Sequence, residues 1–267
     1  MERTATGDGE KVIKPLLEVD RVSVRFGGVV ALDRVSFDLS SGQICGLIGP
    51  NGAGKTTLFN CVSRFYRCSG GRIVFDGRVL TDMPGYRMAA LGISRTFQNL
   101  ALFDSLSVRD NVIIGRHTQC RSGFLANALN LRRARREDAD LRRHANELID
   151  LLELGFVADR RVTELPFGLR KRVELARALA STPRLLLLDE PASGLNHEEI
   201  GVLSLLIRQI RDRLRISILL VEHHMGLVMG VSDKVVALNF GRKIAEGTPA
   251  QVREHADVIQ AYLGAPA

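Results

Sequence analysis

The stretch Gly49-Pro50-Asn51-Gly52-Ala53-Gly54-Lys55-Thr56-Thr57 reads GPNGAGKTT and fits the spacing G-x-x-x-x-G-K-[S/T]. That spacing means something only between a strand and a helix. Here the apolar run ICGLI (44–48) precedes it and a helical pattern from Leu58 follows. Glycines let successive backbone N–H groups turn toward phosphate oxygens. A lysine at position 55 reaches the β and γ phosphates, and the Thr56 hydroxyl suits a magnesium ion. An accidental glycine-rich turn would not arrive with both flanks in place. The stretch therefore predicts a nucleoside triphosphate site on an α/β core.

Working outward, LLEVDRVSVRF (16–26) alternates like a strand, and VSFDLSSGQICGLIG (35–49) alternates and then runs apolar. Asp76-Gly77 sits between two short apolar runs, a type I′ hairpin signal. ISRTFQNL (93–100) reads as a short strand leading into a loop, and Ser107 with Asp110 as a helix start. From Gly115 to about Asn130 the pattern weakens. A helix follows, with Leu141, Ala145, Leu148 and Leu152 on one stripe.

RLLLLDE (184–190) and ISILLVEHH (216–224) are apolar runs of the length of buried parallel strands. HEEIGVLSLLIRQIRDRL (197–214) lies between them as a helix, and KVVALNFGRKIAEG (234–247) is hairpin-like. Thr248-Pro249 marks a last helix start. Strands first, then a mostly helical block, then alternating strand and helix predict an α/β core with a helical insertion at about 99–180. Residues 1–15 are expected to be a disordered tail, and 16–264 a single domain.

The bulk numbers narrow the class. The chain has 267 residues, 45% hydrophobic and 25% charged, a globular balance. No apolar run approaches the roughly 18–20 residues that cross a bilayer, and the amino-terminal segment lacks the apolar centre of a secretory signal. Four cysteines and six histidines show no metal-ligand spacing; the cysteines read as reduced packing residues. The net charge of +7 comes with only 5% aromatics and no tryptophan, so nucleic acid is not an expected partner. Arginine clusters at Arg132, Arg133, Arg135 and Arg136. A solvated helix face is the default reading, and an anionic membrane surface or acidic partner the next.

A second motif completes the first. A buried strand ending at Asp189 places one carboxylate beside the magnesium, and Glu190, one step on, can take the proton of an attacking water. With TELPFGLRKRVELARALA (163–180), these motifs resemble the nucleotide-binding subunits of ABC transporters, from about Leu16 to Gly264. The resemblance implies a P-loop ATPase core, with a mixed sheet, flanking helices and an antiparallel β subdomain, plus a helical subdomain.

It further implies that Phe26 stacks on adenine and that residues 49–57 hold ATP. Gln98 would contact magnesium and the water, along with Thr56 and Asp189. Glu190 would be the catalytic base and His223 the switch that binds the γ-phosphate. Ser193 and Asn196, in SGLN, would cross a dimer interface. His224 is given no role.

LPFG (165–168) occupies the place of the family signature, usually L-S-G-G-Q. Leu165 and Gly168 remain. Pro166 replaces the serine, losing a hydroxyl and a backbone N–H, Phe167 replaces a glycine, and Leu169 a glutamine. With ISRTFQNLALFDSLSVRDNV, DEPASGLN and the ending IAEGTPAQVR…VIQAYLG, this is similar to one branch, the ATPases of branched-chain amino acid importers.

The implied partners are permease subunits, a second ATPase subunit (the same chain or another) and an extracytoplasmic solute-binding protein, with ATP and Mg2+ as cofactors. The implied place is peripheral, on the cytoplasmic face of the membrane. The alternatives are a lipopolysaccharide-type export ATPase, whose signature normally keeps Ser-Gly-Gly, and a soluble ABC ATPase. The latter usually carries two cassettes or long coiled coils. A small P-loop kinase would leave the signature, Gln98 and His223 unexplained.

Overall fold

Strand alternation builds the first layer of the fold. The computed structural model describes residues 14–98, 100–117 and 132–263, with only the backbone at 132–134 and 263. The expected tail thus falls chiefly on 1–13, outside the described residues, as do Cys120 and Gly264. Strand β1 (Leu17–Phe26) buries Leu17, Val19, Val22 and Val24. It pairs antiparallel with β2 (Val29–Leu39) and with β4 (Gly70–Phe75). Asp76 and Gly77 both take positive φ, 50° and 74°, and return the chain into β5 (Arg78–Val79) as the hairpin signal predicts. The sheet order is β2-β1-β4-β5.

The second sheet has the order β10-β9-β3-β8-β7-β6. Its strands are β3 (Ile44–Ile48), β6 (Ile93–Arg95), β7 (Leu185–Asp189), β8 (Ser217–Val221), β9 (Lys234–Asn239) and β10 (Arg242–Gly247). All pairs are parallel except β9 with β10. β3, β7 and β8 are buried at every position, which is why their sequences run apolar rather than alternate. Successive residues still face opposite layers. Ile44, Leu186, Leu188, Ile218 and Leu220 join one core cluster. Cys45, Leu47, Leu185, Leu187, Leu219 and Val221 join the other, with α1 (Lys55–Val62) and the antiparallel sheet.

Short α2 (Met88–Leu91) precedes β6. Between β6 and β7 lie α3 (Val108–Ile114), α4 (Arg132–Leu151) and α5 (Phe167–Ala180). Ser107 caps α3 by accepting from the Asp110 N–H. The α4 stripe meets the core through Ala145 and Leu148, with Leu152 just past the helix end, while Leu141 is half-buried. Among the described residues the remaining α-helices are α6 (His197–Leu214), α7 (Met225–Val231), α8 (Pro249–Arg253) and α9 (Ala256–Leu263). Among the described residues no helix is long and apolar enough to cross a membrane.

Candidate nucleotide site

The loop between β3 and α1 is hemmed in by backbone. Gly49 has φ 150°, and a Cβ there would collide with the Leu238 carbonyl; Gly54 has φ 97°, and its Cβ would lie 2.7 Å from the Ala31 carbonyl. Only glycine fits both. Gly54 is the N-cap of α1, makes no side-chain cap, and no acid occupies the first helical turn. That leaves the N–H groups of the first turn and the positive dipole end for an anion.

Lys55 is 5% exposed. Its ammonium donates to the Gly49 and Pro50 carbonyls at 2.7 and 3.0 Å. Burial pushes its pKa down, and Glu190 opposes that shift. The Gly49 N–H donates to Tyr262 Oη of α9 at 2.8 Å, a partner that the sequence reading did not include.

The acidic residues close the other side. Asp189 ends β7, 5% exposed; burial raises its pKa against the opposing charge of Arg95. Arg95 binds Asp189 Oδ2 at 2.6 Å, and Asn60 Oδ1 and Ser63 Oγ at 2.6 and 2.9 Å. The Phe59, Phe65 and Phe97 rings surround its guanidinium at 4.7 to 5.4 Å.

Glu190, at φ 46°, turns the chain off the strand. Gln98 Nε2 donates to Glu190 Oε2 at 2.8 Å. His223 Nε2 lies 2.8 Å from Oε1. The three residues expected to act on water and γ-phosphate thus share one hydrogen-bonded group. Phe26 is exposed at the end of β1, edge-on to Tyr66 with ring centroids 5.3 Å apart.

Hydroxyl and carboxylate oxygens, together with phosphate, are the hard donors that magnesium takes. Exposed Thr56, in the first turn of α1, and Asp189 fit that ion.

On the signature face the helix begins at Phe167. Pro166 is the N-cap of α5, with no side-chain cap bond. The N–H that proline lacks therefore lies ahead of the first helical turn. Leu165 is buried. Phe167 packs on Gly194, where a Cβ would lie 2.8 Å from its ring, and the Lys171 ammonium sits 5.6 Å from the ring centroid. Gly168 abuts Glu199. Asn196 caps α6 by accepting from the Glu199 N–H, while the Glu199 carboxylate accepts from the Asn196 N–H. Ser193 N–H donates to the Glu190 carbonyl at 3.1 Å. His224 acquires a role: its Nδ1 accepts from the Leu227 N–H and caps α7.

A glycine-cradled loop after β3, an acid-ended strand β7 one strand away across β8, and a helix-start signature on one chain define an ATP-binding cassette. The family model of ABC transporters matches residues 32–193, and the chain belongs to that family as an ATP-hydrolysing, ATP-binding subunit. A second model, of branched-chain amino acid ATP-binding cassette transporters, matches residues 242–267.

The chain is 40% identical to the high-affinity branched-chain amino acid transport ATP-binding protein BraF of Pseudomonas aeruginosa, over 94% of this chain and 98% of that protein. It is 42% identical to LivG of Escherichia coli, of the same description, with the same coverages. Among solved structures, an ABC transporter cassette in its ADP conformation superposes with a TM-score of 0.81 at 26% identity, covering 94% of this chain and 99% of that one. A nucleotide-free cassette gives 0.78 at 27%, covering 93% and 99%.

Proposed function

We propose that the chain drives branched-chain amino acid import, as a peripheral subunit on the cytoplasmic face of the membrane. It works with permease subunits, a second ATPase subunit and an extracytoplasmic solute-binding protein. The observation that carries the hydrolytic part is the Glu190 carboxylate held between Gln98 and His223. The similarity to BraF and LivG supports the solute class.

In this reading residues 49–57 and the α1 N-terminus bind the phosphates, and Lys55 leaves its two carbonyls for them. Phe26 stacks on the base. Thr56 and Asp189, with Gln98, would hold a magnesium ion, which would supply charge neutralisation at the phosphates. Glu190 takes a proton from water, whose oxygen bonds to the γ-phosphorus as the bond to the ADP oxygen breaks. His223 holds the γ-phosphate. Pro166, Phe167 and Gly168, with Ser193 and Asn196, face the second subunit's nucleotide, and buried Leu165 anchors them to the core.

The permease docks beside the Gln98 segment. An open cavity of about 280 Å³ there is lined by Phe65, Met88, Ile93, Phe97 and Arg177, a mixed apolar and basic surface suited to an amphipathic segment. The test is the chain co-expressed with its permeases and reconstituted in vesicles. Glu190→Gln should retain ATP and lose roughly 10²–10⁴ of turnover. Leucine, isoleucine and valine uptake should depend on ATP. Turnover near that of the unsubstituted protein removes Glu190 from its role. ATP-driven uptake of a different solute class overturns the substrate reading alone.

A further inference from the structure

Glu222 is a buried carboxylate that the mechanism above does not use. It follows β8 directly and is 3% exposed. Its Oε1 accepts the His223 and His224 N–H groups at 2.7 and 3.2 Å, and its Oε2 accepts the Ala192 N–H at 2.9 Å. A buried carboxylate is tolerated only when it is paired or hydrogen-bonded. Here the three donors come from two different loops.

The sheet explains the meeting. β7 and β8 run parallel with Asp189 opposite Val221, and the Glu190 N–H continues the ladder to the Val221 carbonyl at 2.8 Å. Beyond that point Glu190 turns away at positive φ, and the two chains would separate. Glu222 bridges them at its backbone partners, as His223 bridges them to Glu190 through its ring. The buried Lys171 of α5 also feels the Glu222 charge.

We propose that Glu222 is a positioning residue: it fixes the His223 backbone against the Ala192–Asn196 segment, so that His223 and Glu190 stay in reach of each other and move together with that segment. This rests on the reading of Glu190 and His223 as the hydrolytic pair.

Glu222→Gln keeps the shape but turns one acceptor oxygen into an NH2 group facing an N–H. One of the two loops then loses its hold. The reconstituted complex should keep its ADP affinity within about twofold, because residues 49–57 are untouched and ADP lacks the γ-phosphate that His223 holds. Saturated turnover should fall on the order of 10- to 100-fold, the scale of a misplaced catalytic group.

The deciding measurement is a cycle with His223→Ala. In that background Glu222→Gln should cost little more, because the ring it positions is gone. A merely structural carboxylate would cost the same factor in both backgrounds and lower ADP affinity and melting temperature together. Should Glu222→Gln not fold, Glu222→Asp keeps the charge but is too short to span both loops, and the same cycle applies. Unchanged turnover in the folded variant, or equal losses in both backgrounds, overturns the proposal. Unsubstituted-level turnover in Glu190→Gln and His223→Ala themselves would instead overturn the site reading on which it rests.

Discussion

Tyr262→Phe removes one oxygen and tests whether the carboxy-terminal helix helps shape the nucleotide loop. That oxygen is the acceptor for the Gly49 N–H at 2.8 Å. Burial pushes the phenol pKa up, so it remains neutral at physiological pH. Gly49 cannot readily swing to another acceptor, since its own backbone is pressed against the Leu238 carbonyl.

A buried donor left unsatisfied costs about 1–3 kcal/mol. Tyr262 is 40% exposed, so water can reach part of the gap and the lower end, about 1 kcal/mol, applies. That corresponds to a melting temperature roughly 2–4 °C lower, and to an ATP affinity weaker by up to about fivefold, the limit in which the whole cost falls on the nucleotide-bound loop. Saturated turnover should change little, because the loop binds ground state and transition state alike. Titration calorimetry of ATP and a thermal melt, each against the unsubstituted protein, make the measurement. Identical affinity and melting temperature would refute the tether. A collapse of turnover at unchanged affinity would place Tyr262 in a different role.

Phe26→Ala should weaken ATP binding by about 0.5–1.5 kcal/mol beyond lost area while sparing saturated turnover; equal affinity by fluorescent-nucleotide titration counts against stacking. Gly54→Ala forces an alanine to φ 97° with its Cβ 2.7 Å from the Ala31 carbonyl. It should cost at least about 1–2 kcal/mol from the backbone alone, seen as a lower melting temperature and lost nucleotide retention. If the second subunit carries an ordinary serine signature, its own nucleotide meets Pro166 and lacks that hydroxyl. A hydrogen bond to a charged phosphate is worth about 1.5–3 kcal/mol, enough to make the two sites unequal. Disabling the partner's glutamate should then cost less turnover than Glu190→Gln, and equal losses would make Pro166 a tolerated variant.

What the sequence made legible is chemistry carried by neighbouring residues. The loop 49–57 presents its donors in succession, and β7 ends in its acids, so spacing alone locates both. Burial on two faces makes β3, β7 and β8 apolar throughout, and that too shows in a single run. The contacts that hold the site together are of another kind. Tyr262 and Gly49 lie 213 positions apart, and Arg95 meets Asp189 across adjacent strands. Neither pairing has a local period, because sheet register and helix docking create them.

Phe167 shows the same limit most clearly. Read along the chain, it is a signature glycine lost, and the phosphate-facing surface is poorer by that much. In the fold its ring fills the space beside Gly194, under the Lys171 ammonium. The bulk added at one glycine position is thus taken up at another, on the segment that begins at Glu190. The altered letter therefore ties the start of α5 to the loop behind the Glu190 carboxylate. Its consequence should appear in how those two elements move together rather than in a missing phosphate donor.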